Sequence, residues 1–116
     1  MKKRYRIKKN SEIDAIFKKK VVKGDSYFAI YQSEDPANEH FRFALSIGRR
    51  YGGAVERNLA KRRIRMIIQE MKDEIIAKSN FVIVIKPSAI DLSFAEMQSK
   101  LQALLKKSKL TEKEHE

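Results

Sequence analysis

Residues 52–65 read GGAVERNLAKRRIR, and five of these fourteen are Arg or Lys. Arg49 and Arg50 lie just ahead of them, and only Glu56 opposes the charge. Wound at about 100° per residue, Asn58, Lys61, Arg62 and Arg65 share one sector of a helix, and Arg57 opens its first turn. Like charges at this spacing repel, so a face this purely cationic calls for a polyanion to offset the cost. Arginine outnumbers lysine, and its planar fork matches phosphate bidentately and stacks on bases. The start of such a helix offers free N–H groups and a positive dipole end, and Gly52 and Gly53 let a backbone come close there. No GxxxxGK[ST] pattern accompanies them, so this is not a nucleotide-binding P-loop.

Chemistry centred on the protein itself finds little support. The histidines are His40, in a turn, and His115, near the C-terminus. They do not form a pair for general acid–base cleavage. The acidic residues are scattered as caps, helix-face partners and tail charges, without the dense cluster that two metal ions need. No catalytic residue and no metal ligand is therefore expected in the protein.

Composition points the same way. The 116 residues carry a formal net charge of +11, and 35% of them are charged. One domain over residues 1–116 with a modest core is expected. The chain has no cysteine, which excludes disulfides and thiolate metal sites. No apolar run approaches the ~18 residues of a membrane span, and the basic start lacks an apolar core for a signal peptide. A cytoplasmic protein that binds nucleic acid, and no membrane, is the expectation.

The elements that position the cationic face follow from periodicity. Residues 10–20 give a short helix capped by Asn10 or Ser11, with Ile13, Ile16 and Phe17 as its apolar stripe. Val21 and Val22 start a strand that Gly24 and Asp25 end. Residues 26–33 alternate as a strand, placing Tyr27, Ala29 and Tyr31 on one side and Phe28 and Ile30 on the other. Residues 34–40 form a turn, and 41–48 return as the hairpin partner, with Phe41, Phe43, Leu45 and Ile47 on one face. A long helix then runs over about 54–77, its stripe of Ala60, Ile64, Ile67, Ile68, Met71 and Ile75 facing a sheet. Phe81, Val82, Ile83, Val84 and Ile85 are continuously apolar, which fits a strand buried on both faces at a sheet centre. Ser93 and Glu96 form a capping box for a last helix carrying Phe94, Met97, Leu101, Leu104 and Leu105. Residues 1–9 read as a basic arm without an apolar face, and 108–116 as a loose polar tail. The order is αβββαβα, an α+β fold with one mixed sheet packed with helices.

These segments together resemble the bacterial ribonuclease P protein family. AVERNLAKRRIR is similar to its signature helix. KKRYRIKKNSEIDAIFKKK resembles its opening, FALSIGRRYGGAVERN its strand, basic loop and helix start, and FVIVIKPSA its late strand. The likeness runs over about residues 2–108. Where the family motif usually reads Arg-Asn-Arg, this chain has Arg57-Asn58-Leu59.

The resemblance implies a ribosomal-protein-S5-domain-2-like fold with a left-handed βαβ crossover. It implies a protein subunit that binds a catalytic RNA, with Mg²⁺ held mainly by that RNA, in a ribonucleoprotein endoribonuclease. The holoenzyme would remove the 5′ leader of precursor tRNA. Arg57, Asn58, Lys61, Arg62 and Arg65, with Arg49 and Arg50, would meet the catalytic RNA. Ile13, Phe17 and Tyr31, joined by Tyr27 on the strand, would line a cleft for the single-stranded leader. An aromatic and small-residue platform can stack unpaired bases at roughly 1–3 kcal/mol each. Ile13 and Phe17 serve equally as the packing face of a short helix. Two other readings compete: a structural RNA-binding protein, such as a small ribosomal protein, and a membrane-surface binder. The cationic face lacks an apolar border for a bilayer, which disfavours the second.

Overall fold

The apolar run at 81–85 becomes the centre of the molecule. The computed structural model describes residues 2–111. Its helices are α1 (Asn10–Lys19), α2 (Ala54–Met71) and α3 (Phe94–Lys107), and its strands β1 (Val22–Gly24), β2 (Phe28–Glu34), β3 (Arg42–Ile47) and β4 (Ser79–Ile85). The strands form one mixed sheet in the order β1-β2-β4-β3. β4 pairs antiparallel with β2 and parallel with β3.

The expected hairpin between β2 and β3 is therefore not formed, because β4 lies between them. Side-chain burial explains the choice. Phe81, Val82 and Ile83 are all 0% exposed, so β4 needs partners on both edges and cover on both faces. β2 and β3 are only partly buried, with Phe28, Ile30 and Phe43 turned into the core and the remaining residues half-exposed or exposed, and suit flanking positions. β3, α2 and β4 thus make a parallel crossover unit.

One sheet face carries the main core. Phe28, Ile30, Phe43, Phe81 and Ile83 meet Ile64, Ile67 and Ile68 of α2 and Met97, Leu101 and Leu105 of α3. Phe43 and Phe81 face each other across the parallel ladder and stack at 5.8 Å. The capping box of α3 is present in both halves: Ser93 Oγ accepts from Glu96 N–H and Glu96 Oε1 accepts from Ser93 N–H. The other face carries a smaller core of Ile7, Ile16 and Val82 under α1.

Several boundaries differ from expectation. α1 begins after Lys9, and no side chain caps it; Asn10 and Ser11 lie inside its first turn. α2 ends at Met71 rather than near 77, because the chain turns so that Ile75 can bridge Thr111. The basic start is not a bare arm. Ile7 is buried, its N–H donates to Phe43 C=O at 2.9 Å, and Tyr5 packs beside His40 and Phe41. This segment covers the free edge of β3.

Nor is the chain loose after 108. Ser108, Leu110 and Thr111 are buried; the remainder of the expected tail, residues 112–116 with His115, lies outside the described residues. A Schellman turn closes α3, with Lys109 N–H donating to Lys106 C=O and Leu110 N–H to Leu105 C=O. Lys109 adopts φ 61° there, a region that costs a side-chain-bearing residue about 1–2 kcal/mol. Lys109→Gly should raise stability by about 0.5–1 kcal/mol, while Leu110→Ala should lower it by about 2–4 kcal/mol, both read by urea denaturation. A neutral Leu110→Ala result would restore the loose-tail reading.

Candidate nucleic-acid interface

The cationic helix is positioned from below. Ala60, Ile64, Ile67, Ile68 and Met71 of α2 are buried, which turns Asn58 and Arg62 fully outward and leaves Lys61 and Arg65 half-exposed on its flank. Arg49 and Arg50 occupy a 3₁₀ turn, Arg49–Tyr51, whose third residue points inward. Tyr51 is buried in the main core. Burial pushes its phenol pKa up, and nearby Arg63 pulls in the opposite sense. Anchoring Tyr51 holds both arginines at the surface.

The start of α2 is less open than the sequence implied. Arg57 is half-buried and donates through Nη1 to Gly52 C=O at 3.0 Å. Glu56 folds back over the glycines: a Cβ added at Gly53 would lie 3.0 Å from Glu56 Oε1, and one at Gly52 would lie 3.1 Å from Glu56 Cβ. The glycines serve this close approach by Glu56, whose carboxylate faces the positive helix end. The outward sector of α2 therefore begins at Asn58, with Lys61 its first cation free of the helix start.

The aromatic residues divide. Tyr31, Val82 and Ala44 stand directly opposite one another across β2, β4 and β3. Ile13 and Phe17 of α1 pack on this row, Phe17 edge-on to Tyr31 at 4.8 Å. The next row, Ala29, Val84 and Ser46, stays half-exposed. α1 thus covers part of the face and leaves a groove floored by small side chains and rimmed by Phe17 and Tyr31.

Tyr27 is not in this groove. Asp25 Oδ1 accepts the N–H groups of Tyr27 and Phe28, so the strand alternation starts only at Phe28. The Tyr27 ring packs against the main core, with Lys100 Nζ of α3 5.4 Å from its centre.

The groove and the cationic helix meet at one place. A cavity of about 160 Å³ is lined by Arg6, Ile7, Ile13, Phe43, Ala44, Leu45 and Arg65. Burial, and then the charge of Arg6, lower the Arg65 pKa from its ordinary value. Arg6 Nε is buried with no hydrogen-bond partner among the described residues. Two guanidinium groups without a carboxylate between them make a seat for an anion. Arg6 was visible in sequence only as one cation among several, since nothing local showed that Ile7 would pin its segment to β3.

Among the described residues no three His, Cys, Asp or Glu side chains gather where a metal ion could be held. None of the described helices is long and apolar enough to cross a membrane. Fold and site together define a single-sheet α+β RNA-binding protein with a cationic helix face joined to an aromatic groove.

Comparison with known proteins makes this specific. The family model described as ribonuclease P matches residues 1–109. The ribonuclease P protein component of Phytoplasma australiense is 48% identical over 99 residues, covering 85% of this chain and 86% of that one. That of Acholeplasma laidlawii is 44% identical over 116 residues, covering 98% and 97%. The structure of the Staphylococcus aureus RNase P protein superimposes with a TM-score of 0.88 at 31% identity, covering 93% of this chain and 98% of that one. The chain belongs to the ribonuclease P protein family.

One ion pair ties α1 to β3 beside the groove. Arg42 Nη1 and Nη2 donate to Glu12 Oε2 and Oε1 at 3.1 and 3.0 Å. Hydrogen bonding by Arg42 holds the Glu12 carboxyl below its ordinary value of 4.5. The folded value is the lower one, so the contribution is present above about pH 4.5 and is lost as pH falls through the folded value. Glu12 is 40% exposed, which limits the pair to under about 1 kcal/mol. Glu12→Gln should loosen the Phe17–Tyr31 contact at pH 7, seen as a weaker ring-to-ring nuclear Overhauser effect. The two proteins should converge as the pH drops toward 3. An unchanged Phe17–Tyr31 contact in Glu12→Gln at pH 7 would assign the orientation of α1 to packing alone.

Proposed function

We propose that this protein is the protein subunit of a ribonuclease P holoenzyme acting in the cytoplasm. Its α2 face, with Arg49 and Arg50, holds the catalytic RNA. Its groove of Ile13, Phe17 and Tyr31 takes the single-stranded 5′ leader of precursor tRNA, and the ribonucleoprotein cuts the leader off. The observation that carries the reading is the junction at Arg65, where a cationic helix face runs into an aromatic groove within one small domain. A strand leaving the RNA-bound face can enter the groove past Arg65 and Arg6 without crossing uncharged surface.

The chemistry belongs to the RNA in this reading, with Mg²⁺ bound by that RNA. The protein supplies charge, which concentrates substrate and lowers the Mg²⁺ needed, and it holds the leader. Tyr27 lies on the α3 side and takes no part in the groove. A purely structural role, such as that of a small ribosomal protein, leaves the half-open groove without an occupant.

Reconstitution tests the reading. The protein alone should leave precursor tRNA intact, and together with the catalytic RNA it should raise cleavage at low Mg²⁺ well above that of the RNA alone. Activity without RNA, or no effect on the RNA's rate, would overturn it. Within the holoenzyme, Tyr31→Ala should weaken binding of leader-bearing precursor by about 5- to 100-fold, the worth of one stacked base. Binding of mature tRNA should stay unchanged. Equal losses for both would make Tyr31 a packing residue.

A further inference from the structure

Contrary to the expectation of a cationic face without an apolar border, the outward side of α2 is not uniformly cationic. Val55 is 79% exposed and Met66 52% exposed, and Leu59 is half-buried. At about 100° per residue the three fall within about 40° of arc, opposite the buried stripe. Over eleven residues they run about 16 Å along the helix. Arg62 borders them on one side and Arg63 on the other. The phosphate-binding sector of Asn58, Lys61 and Arg65 lies beyond Arg62.

Apolar side chains this exposed on the most charged element of the chain suit an occupant that is both anionic and apolar. A second copy of this chain fits poorly, since facing strips would bring two Arg62 and two Arg63 side chains together within a +11 protein. Single-stranded RNA fits: its phosphates suit the arginines, and the face of an unstacked base or ribose suits the aliphatic surface.

We propose that Val55, Leu59 and Met66 form a seat for the apolar face of an unpaired nucleotide of the bound RNA, beside the phosphate contacts of Lys61, Arg62 and Arg65. This rests on the reading that α2 faces the catalytic RNA. Apolar contact releases no counterions, so the seat contributes affinity that salt does not weaken, whereas each phosphate contact adds about one ion to the salt slope.

The test measures binding of the full-length protein to the catalytic RNA across a salt series. Leu59→Ser should lower affinity by about 3- to 30-fold at every salt concentration and leave the slope unchanged. Val55→Ser, on a side chain the fold barely touches, should act in the same sense. Arg62→Ala should instead flatten the slope by about one. Parent-like affinity of both serine variants alongside a flattened Arg62→Ala slope would overturn the seat while keeping α2 on the RNA. An unchanged slope in Arg62→Ala would remove α2 from the RNA and the seat with it. A concentration-dependent dimer that Leu59→Ser abolishes, with RNA affinity intact, would give the strip to a second copy and overturn the proposal.

Discussion

A strand buried along most of its length organises this protein. Phe81, Val82, Ile83 and Ile85 of β4 are at most 2% exposed, so both edges must be paired and both faces need cover over these residues. That demand places β2 and β3 on either side and calls for helices above and below. The cover is unequal. α2 and α3 cover most of one face, while α1, ten residues long, closes only part of the other. The groove is the uncovered remainder of the second face, and its floor is small because Ala29, Ala44 and Ser46 stand in register with Val82 and Val84. The binding surface is thus a consequence of how β4 is buried, not an addition to the fold.

The same packing explains how the charge is tolerated. Among the described residues, the two ion pairs join Arg42 to Glu12 and Lys78 to Glu34, and neither touches the cationic sector of α2. Glu56 serves the start of that helix instead. The repulsion among Lys61, Arg62 and Arg65 is held in place by the apolar stripe beneath, where Ile64, Ile67 and Ile68 are fully buried. Core burial at roughly 25 cal/mol per Å² outweighs surface repulsions of a few tenths of a kcal/mol per pair. The unneutralised charge stays available for a polyanion.

Much of this was legible in the residues, and the failures share a cause. The strands read at 26–33 and 41–48, the α2 stripe from Ala60 to Met71 and the Ser93–Glu96 box are local patterns, and each is present, though β2 starts only at Phe28, β3 spans 42–47 and Ile75 of the expected stripe lies past the end of α2. The hairpin was a choice of partner, which no local pattern fixes. Yet the burial pattern itself argues against the hairpin, since a strand buried on both faces does not sit at an edge, and β2 and β3 each have a polar side to spare. Tyr27 misled because alternation was extended one residue past the point where Asp25 turns the chain. Residues 5–7 and 108–111 read as loose because each holds only one or two apolar side chains. Ile7 and Leu110 are enough once they fill space left by β3 and by the end of α2. The family resemblance named the partners, but the meeting of Arg6 and Arg65 depends on a contact between segments almost sixty residues apart, which a single sequence does not display.

Leu59 shows what a change of residue type does at such an interface. An arginine there would add charge to a face already crowded with it, and its contribution would fall with salt like that of its neighbours. A leucine between Val55 and Met66 instead adds aliphatic surface to that side of α2, and in the proposed seat its contact with RNA would be insensitive to salt. The strip also has directional consequences. Phosphates held on the Lys61–Arg65 side of Arg62 put the attached ribose and base toward the apolar side, so the helix can fix the orientation of a nucleotide as well as its charge. Cations alone hold a phosphate chain that remains free to slide or roll. A two-sided helix restricts both motions, and Arg65, on the cationic side, also lines the cavity that Ile13 and Ala44 share with the aromatic groove.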